Sequence, residues 1–218
     1  MIAEHMANEK SRALNEQDES LHLNQPAPHF SLTSIQGQQI NLADYHGRKH
    51  IILWFSRGFT CPFCRGHMQN IIAGYEALQE QDIEVVQVAP NLLESAMIFF
   101  RNDTHPPYPF VCDPDKRLFA TYGIGDQGVL TATRNAFVSF SGAALKKEFG
   151  KTVQASWVDV ANKNFLRRLH HHALTALDQA VFFINKEGVL KYRLDVDALK
   201  DIPTAAELLT LFQQKCAL

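Results

Sequence analysis

Apolar and polar positions along the chain alternate between strand-like runs and stretches of helical period. His50–Phe55 (HIILWF) is nearly all apolar, which suits a strand buried on both faces of a sheet. Ile83–Ala89, Phe110–Cys112 and Gln179–Asn185 read as further strands, and Val189–Arg193 as a strand returning antiparallel after the Lys186-Glu187-Gly188 turn. From Pro62 to about Gln81 the apolar positions Ile71, Tyr75 and Leu78 fall at i, i+4 and i+7, predicting one helix with Pro62 at its first position. The same period predicts helices over Asn91–Asn102, from Asp113-Pro114 through Tyr122, and from Thr204 to about Lys215. Ahead of all these, alternating positions on either side of Gly37 predict a short opening hairpin.

The order β-α-β-α-β-α followed by β-β-α predicts an α/β fold whose sheet is parallel in its first half and ends in a hairpin. Residues 1–22 read as a polar N-terminal extension and 23–218 as one domain with an insertion at about 123–177. The first part of that insertion is punctuated by glycine. In the second part Trp157, Ala161, Phe165, Leu169, Ala173 and Leu177 recur every four residues, a helix expected to pack on the sheet, with a dimer face or a lid over Cys61 as the other reading.

Composition narrows the function classes. Hydrophobic residues make up 46% of the 218 and charged residues 20%, which excludes a wholly disordered chain. Twenty-one Lys and Arg against 23 Asp and Glu leave a net charge of −2, without the basic excess that draws a protein to nucleic acid or to an anionic membrane. The clean apolar runs are strand-sized, far below the roughly 20 residues of a membrane span. The first 20 residues lack the basic start and apolar stretch of a secretory signal, so the expected compartment is the cytoplasm, where thiols stay reduced.

Of the four cysteines (61, 64, 112 and 216), Cys61 and Cys64 form the one close pair, CPFC. The pair falls where a buried strand and a short loop give way to a helix. The unsatisfied N–H groups and positive dipole end of a first helical turn stabilise a thiolate, so Cys61 at that N-cap is a candidate nucleophile. Arg57 and Arg65 flank it and add positive potential. Cys64, one turn on, can attack an oxidised Cys61 and close a disulfide. Two other readings of CxxC stand beside this one: half of a zinc site, although neither a second CxxC nor a histidine pair of finger spacing follows, and a pair of inert buried thiols. His67 follows Cys64 by one turn and could tune it, or be a plain polar position. Cys112 reads as a small buried hydrophobe, with a resolving role as the other reading, and Cys216, near the C-terminus, as an incidental exposed thiol, with an intersubunit disulfide as the other reading. His170–His172 read as a solvated helical face, since consecutive helical side chains point about 100° apart.

Four stretches carry a resemblance: Ala27-Pro-His-Phe-Ser-Leu32, Trp54-Phe-Ser-Arg-Gly-Phe-Thr-Cys-Pro-Phe-Cys-Arg65, Asp113-Pro-Asp-Lys-Arg-Leu-Phe119 and Phe182-Phe-Ile-Asn-Lys-Glu-Gly188. Together with the element order, the chain resembles the peroxiredoxin-like group of the thioredoxin fold, the alkyl hydroperoxide reductase and thiol-specific antioxidant family, in its CxxC-bearing branch. The resemblance implies a thioredoxin-like fold with a mixed sheet flanked by helices. It also implies an enzyme that reduces peroxides through Cys61, resolved by Cys64, with a thioredoxin- or glutathione-type reductant. Neither metal nor organic cofactor is implied, because sulfur carries both electrons. A homodimer is within its scope, since some members resolve between subunits. The chain departs from the family pattern in three places. Gly58 stands where a Thr or Ser precedes the reactive cysteine by three residues, Gln179 stands where an arginine opens the late strand, and Ala176–Gln179 lacks the cis-proline of thioredoxins. Thr60 and Arg57 are the candidate replacements for the hydroxyl and the guanidinium. A protein disulfide reductase without peroxidase activity, and a redox-switched binding protein, are the alternative functions.

Overall fold

The central strand is set by the apolar run read from sequence. All six residues of β3 (His50–Phe55) are buried, and parallel and antiparallel neighbours flank the strand. The computed structural model describes residues 21–59, 62–101, 105–125, 178–196 and 203–216. Within them a five-stranded sheet runs β5-β4-β3-β6-β7, built from β4 (Ile83–Ala89), β5 (Phe110–Cys112), β6 (Gln179–Ile184) and β7 (Leu190–Val196). β3 pairs parallel to β4, and β4 to β5, while β6 and β7 pair antiparallel. The expected α/β class and half-parallel sheet are therefore present, and β7 runs three residues beyond its expected end.

The opening hairpin is β1 (Ser31–Thr33) with β2 (Gln39–Asn41). It covers one sheet edge, where Ile35 N donates to Phe110 O at 2.8 Å. Residues 24–27 cover the other through Ala27 N to Gly188 O at 2.8 Å and Leu190 N to Gln25 O at 2.9 Å. Unpaired edge groups are a template for aggregation, so both short segments close a liability.

Alternation along each strand sorts side chains to two faces. On the first face, Ile52, Trp54, Val85 and Phe183 pack beneath α1 (Pro62–Ala73), α2 (Tyr75–Gln79), α3 (Leu93–Phe100) and α5 (Ala205–Cys216). On the second, Leu53, Phe55, Val88 and Phe182 pack with Ile40 of the hairpin and Phe119 of α4 (Arg117–Thr121).

One expected element divides in two. The helix anticipated from Pro62 to Gln81 breaks at Gly74, between α1 and α2. A Cβ there would lie 2.5 Å from Ala205 Cβ, so the joint needs glycine for α5 to approach. α5 itself begins with a capping box: Thr204 N donates to Glu207 Oε2 at 2.8 Å, and Glu207 N to Thr204 Oγ1 at 3.4 Å. Asp113 does the same work for α4. Its carboxylate accepts from Arg117 N at 3.1 Å and Leu118 N at 2.8 Å, which gives the Asp113-Pro-Asp-Lys stretch a structural role. The expected helix over Trp157–Leu177 and the His170–His172 run lie outside the described residues, as does most of the insertion.

Candidate active site

The carboxyl ends of the parallel strands are where an α/β sheet presents its chemistry, and the CPFC motif follows β3 at that end. Ser56 extends the β3–β4 ladder, its N donating to Val88 O at 2.9 Å. Its hydroxyl donates to Val88 O at 3.3 Å and accepts from Gly58 N at 3.2 Å and from Gln87 Nε2 at 2.9 Å. Gln87 Oε1 accepts in turn from the Tyr108 hydroxyl at 3.4 Å. Ser56, Gln87 and Tyr108 are each fully buried, and burial raises the Tyr108 pKa, so the phenol stays a donor. A chain of satisfied buried polar groups thus fixes the backbone leading to the motif.

Gly58 takes φ +79, and a Cβ there would lie 1.7 Å from Asn91 Oδ1. Any side chain at this position meets both a strained backbone and the Asn91 amide, so the absence of a Thr or Ser is built into the loop. Phe59 is buried and stacks on Phe99 with ring centroids 4.6 Å apart. Its carbonyl accepts from Arg65 Nη1 at 2.7 Å, and the Arg65 guanidinium lies 5.8 Å from the Phe99 ring centre. Arg65 therefore ties the loop before the motif to the helix after it.

The four residues singled out from sequence divide as follows. Arg57 is described and nearly fully buried, at 3% exposure. Cys64 is described, fully buried in the first turn of α1, and its Sγ donates to Gln179 Oε1 at 3.4 Å. Thr60 and Cys61 lie outside the described residues. α1 starts at Pro62, as the motif predicts. His67, read as a group that could tune Cys64 or as a plain polar position, is 7% exposed, because at i+3 it shares the inward side of α1 with Cys64. One position is corrected. Cys216 is half-buried against the core beneath α5, and burial pushes its thiol up to about 11, the opposite of a reactive exposed cysteine. Cys112 is half-buried and packed against the same core.

Sequence reasoning missed the network behind the loop. Gln87 is a polar residue inside an apolar run, and Ser56 and Gln179 border apolar runs; those interruptions were the available signal.

The family model of the AhpC/TSA family matches residues 23–141, just over half of the chain. The chain belongs to the AhpC/TSA family. Among curated relatives it is similar to the thiol-disulfide oxidoreductase ResA of Bacillus thuringiensis, 27% identical over 107 residues, which is 49% of this chain and 61% of the relative. It is also similar to a peroxiredoxin of Thermoplasma volcanium, 25% identical over 121 residues, 53% of this chain and 59% of the relative. The matched segments thus span about three-fifths of these relatives' length. Among solved structures, the reduced 2-Cys peroxiredoxin of Plasmodium vivax superposes with a TM-score of 0.59 at 11% identity, covering 88% of this chain and 94% of that one. The AhpC/TSA assignment and this superposition together make the fold thioredoxin-like, as the element order implied.

Proposed function

We propose that this AhpC/TSA protein is a thiol-dependent oxidoreductase that reduces peroxides, with Cys61 as nucleophile and Cys64 as resolving thiol. The observation that carries the reading is Cys64: a buried thiol in the first turn of the helix that follows the central strand, three residues from a second cysteine. Two nearly buried guanidinium groups, Arg57 and Arg65, lie on the segments before and after Cys61 and favour its thiolate. The Cys61 thiolate attacks one peroxide oxygen, the O–O bond breaks, and the departing oxygen leaves as an alcohol or water after taking a proton. Cys61 is then a sulfenic acid. Cys64 displaces its hydroxyl as water, forming the Cys61–Cys64 disulfide, which one thioredoxin-type dithiol or two glutathione-type thiols reduce. Thr60 and Arg57 are the groups assigned to hold the peroxide. Sulfur carries both electrons, so the scheme calls on no metal or organic cofactor. The cytoplasm, with its reduced thiol pools, is the compartment that suits such turnover.

A second reading, protein disulfide reduction, is favoured by one observation. The Gly58–Asn91 contact leaves no room for the hydroxyl that orients a peroxide in the family pattern. Peroxide consumption and insulin reduction, measured on the wild type, Cys61→Ser and Cys64→Ser, separate the two. Peroxide turnover lost in Cys61→Ser, with sulfenic acid trapped in Cys64→Ser, is the expected result. Insulin reduction without peroxide consumption selects the second reading. Full activity in Cys61→Ser overturns both.

A further inference from the structure

Gln179 opens β6 with 1% of its surface exposed, and its Oε1 accepts from the Cys64 thiol. Water is excluded from both side chains, so solvent cannot replace this contact. The other end of the amide, Nε2, has no hydrogen-bond partner among the described residues. Such an amide favours the dithiol over the disulfide. Oxidation removes the thiol proton and leaves a buried carbonyl without its donor, which is unfavourable.

Resting on the thiol-redox reading above, we propose that Gln179 is a positioning residue that holds Cys64 as the protonated member of the Cys61–Cys64 pair and weights the pair toward its dithiol state. In the resolving step the Cys64 S–H bond and the Cys61 S–O bond break, the S–S bond forms, and the proton and hydroxyl leave as water. Gln179 accepts the thiol hydrogen bond until that proton leaves, and itself gains no proton. The division of labour follows: Cys61 is the member that ionises, while Cys64 waits as a thiol. Among the described residues, the titratable groups on the sheet face of Gln179 and on the elements packed over it include His50 and Arg57 of β3 and its loop, Arg65 and His67 on α1, Tyr75, Tyr108, Cys112, Tyr192 and Cys216. Substituting Gln179 leaves them all in place.

The test uses the full-length chain. Gln179→Met keeps the side-chain volume and removes both polar ends. Equilibration with glutathione buffers should show the Cys61–Cys64 disulfide stabilised about tenfold in the variant, a potential roughly 30 mV more negative. In a Cys61→Ser background, the pH midpoint for alkylation of Cys64, read by mass spectrometry of its peptide, should fall by about half a unit. Gln179→Asn withdraws the amide by one methylene and should move both readouts the same way by less, which keeps the test open if the methionine variant does not fold. Unchanged potentials and midpoints, or shifts of opposite sign, overturn the role of Gln179. Absence of any Cys61–Cys64 disulfide in the oxidised wild type overturns the thiol-redox reading itself, a separate result.

Discussion

The two faces of the central sheet are made by the same strands and differ in kind. The face toward α4 is hydrocarbon through its middle strands: Ile51, Leu53 and Phe55 of β3 lie beside Val86 and Val88 of β4 and Ala180, Phe182 and Ile184 of β6, with charge at its borders, where Glu84 stands near the start of β4 and Arg193 of the edge strand β7 lies over the Phe182 ring at 5.5 Å. The face toward α1 and α5 opens with His50, continues apolar through Ile52 and Trp54, and toward the carboxyl ends of β3 and β4 carries Gln87 and Ser56, with Gln179 opening the antiparallel β6 beside them. One face holds the molecule together; the other also aims the chemistry. The faces separate because strand side chains alternate, so polar residues spaced by two gather on one side and leave the opposite side intact.

Substitutions on the two faces should therefore fail differently. The largest stability loss is expected for Phe182→Ala on the hydrocarbon face, about 3–5 kcal/mol in chemical denaturation, while each molecule that remains folded forms the Cys61–Cys64 disulfide at the wild-type rate. A slowed rate per folded molecule would break the division between the faces. Next is Gly58→Ala, which meets both the positive φ and the overlap with Asn91. It should cost about 2–3 kcal/mol and slow peroxide turnover more than the stability loss accounts for. Adding Asn91→Ala should restore part of both, leaving the backbone strain, and an additive double mutant would refute the contact.

Gln87→Met removes the middle of the Tyr108–Gln87–Ser56 chain, leaving the Tyr108 hydroxyl without its acceptor and taking one donor from Ser56. It should cost about 1–3 kcal/mol and loosen the loop, seen as faster amide exchange at Gly58. The smallest effect is expected at His50, on the polar face beneath Phe212, with ring centroids 5.3 Å apart. Burial and then Lys186 hold its pKa below the usual value, so the unfolded chain binds the extra proton first. Stability is retained above pH 6.5 and declines as the pH falls below it. Between pH 7.5 and 5.5 the urea midpoint of wild type should drop slightly more than that of His50→Gln.

Much of this fold was legible because its strands are apolar runs bounded by turns: β3, β4 and β5 lie where the pattern puts them. The break at Gly74 was not, since the i, i+4, i+7 rhythm of Ile71, Tyr75 and Leu78 continues across it and the cause, Ala205, is over a hundred residues away. CPFC announced itself by position after a strand, with its own Pro62 opening a helix. The partners of that motif did not. Gln179 is 115 residues from Cys64 in sequence, and Gln87 and Tyr108 reach Ser56 only through sheet register. The inward orientation of His67 and Cys216 likewise depends on which side of a helix meets the sheet.

The Arg65 tether gives the thiol segment a mechanical property. Its 2.7 Å bond to the Phe59 carbonyl links the loop after β3 to the first turn of α1. A link of this kind resists swinging the two apart as a flap, so Phe59 and the start of α1 are held as one mechanical piece.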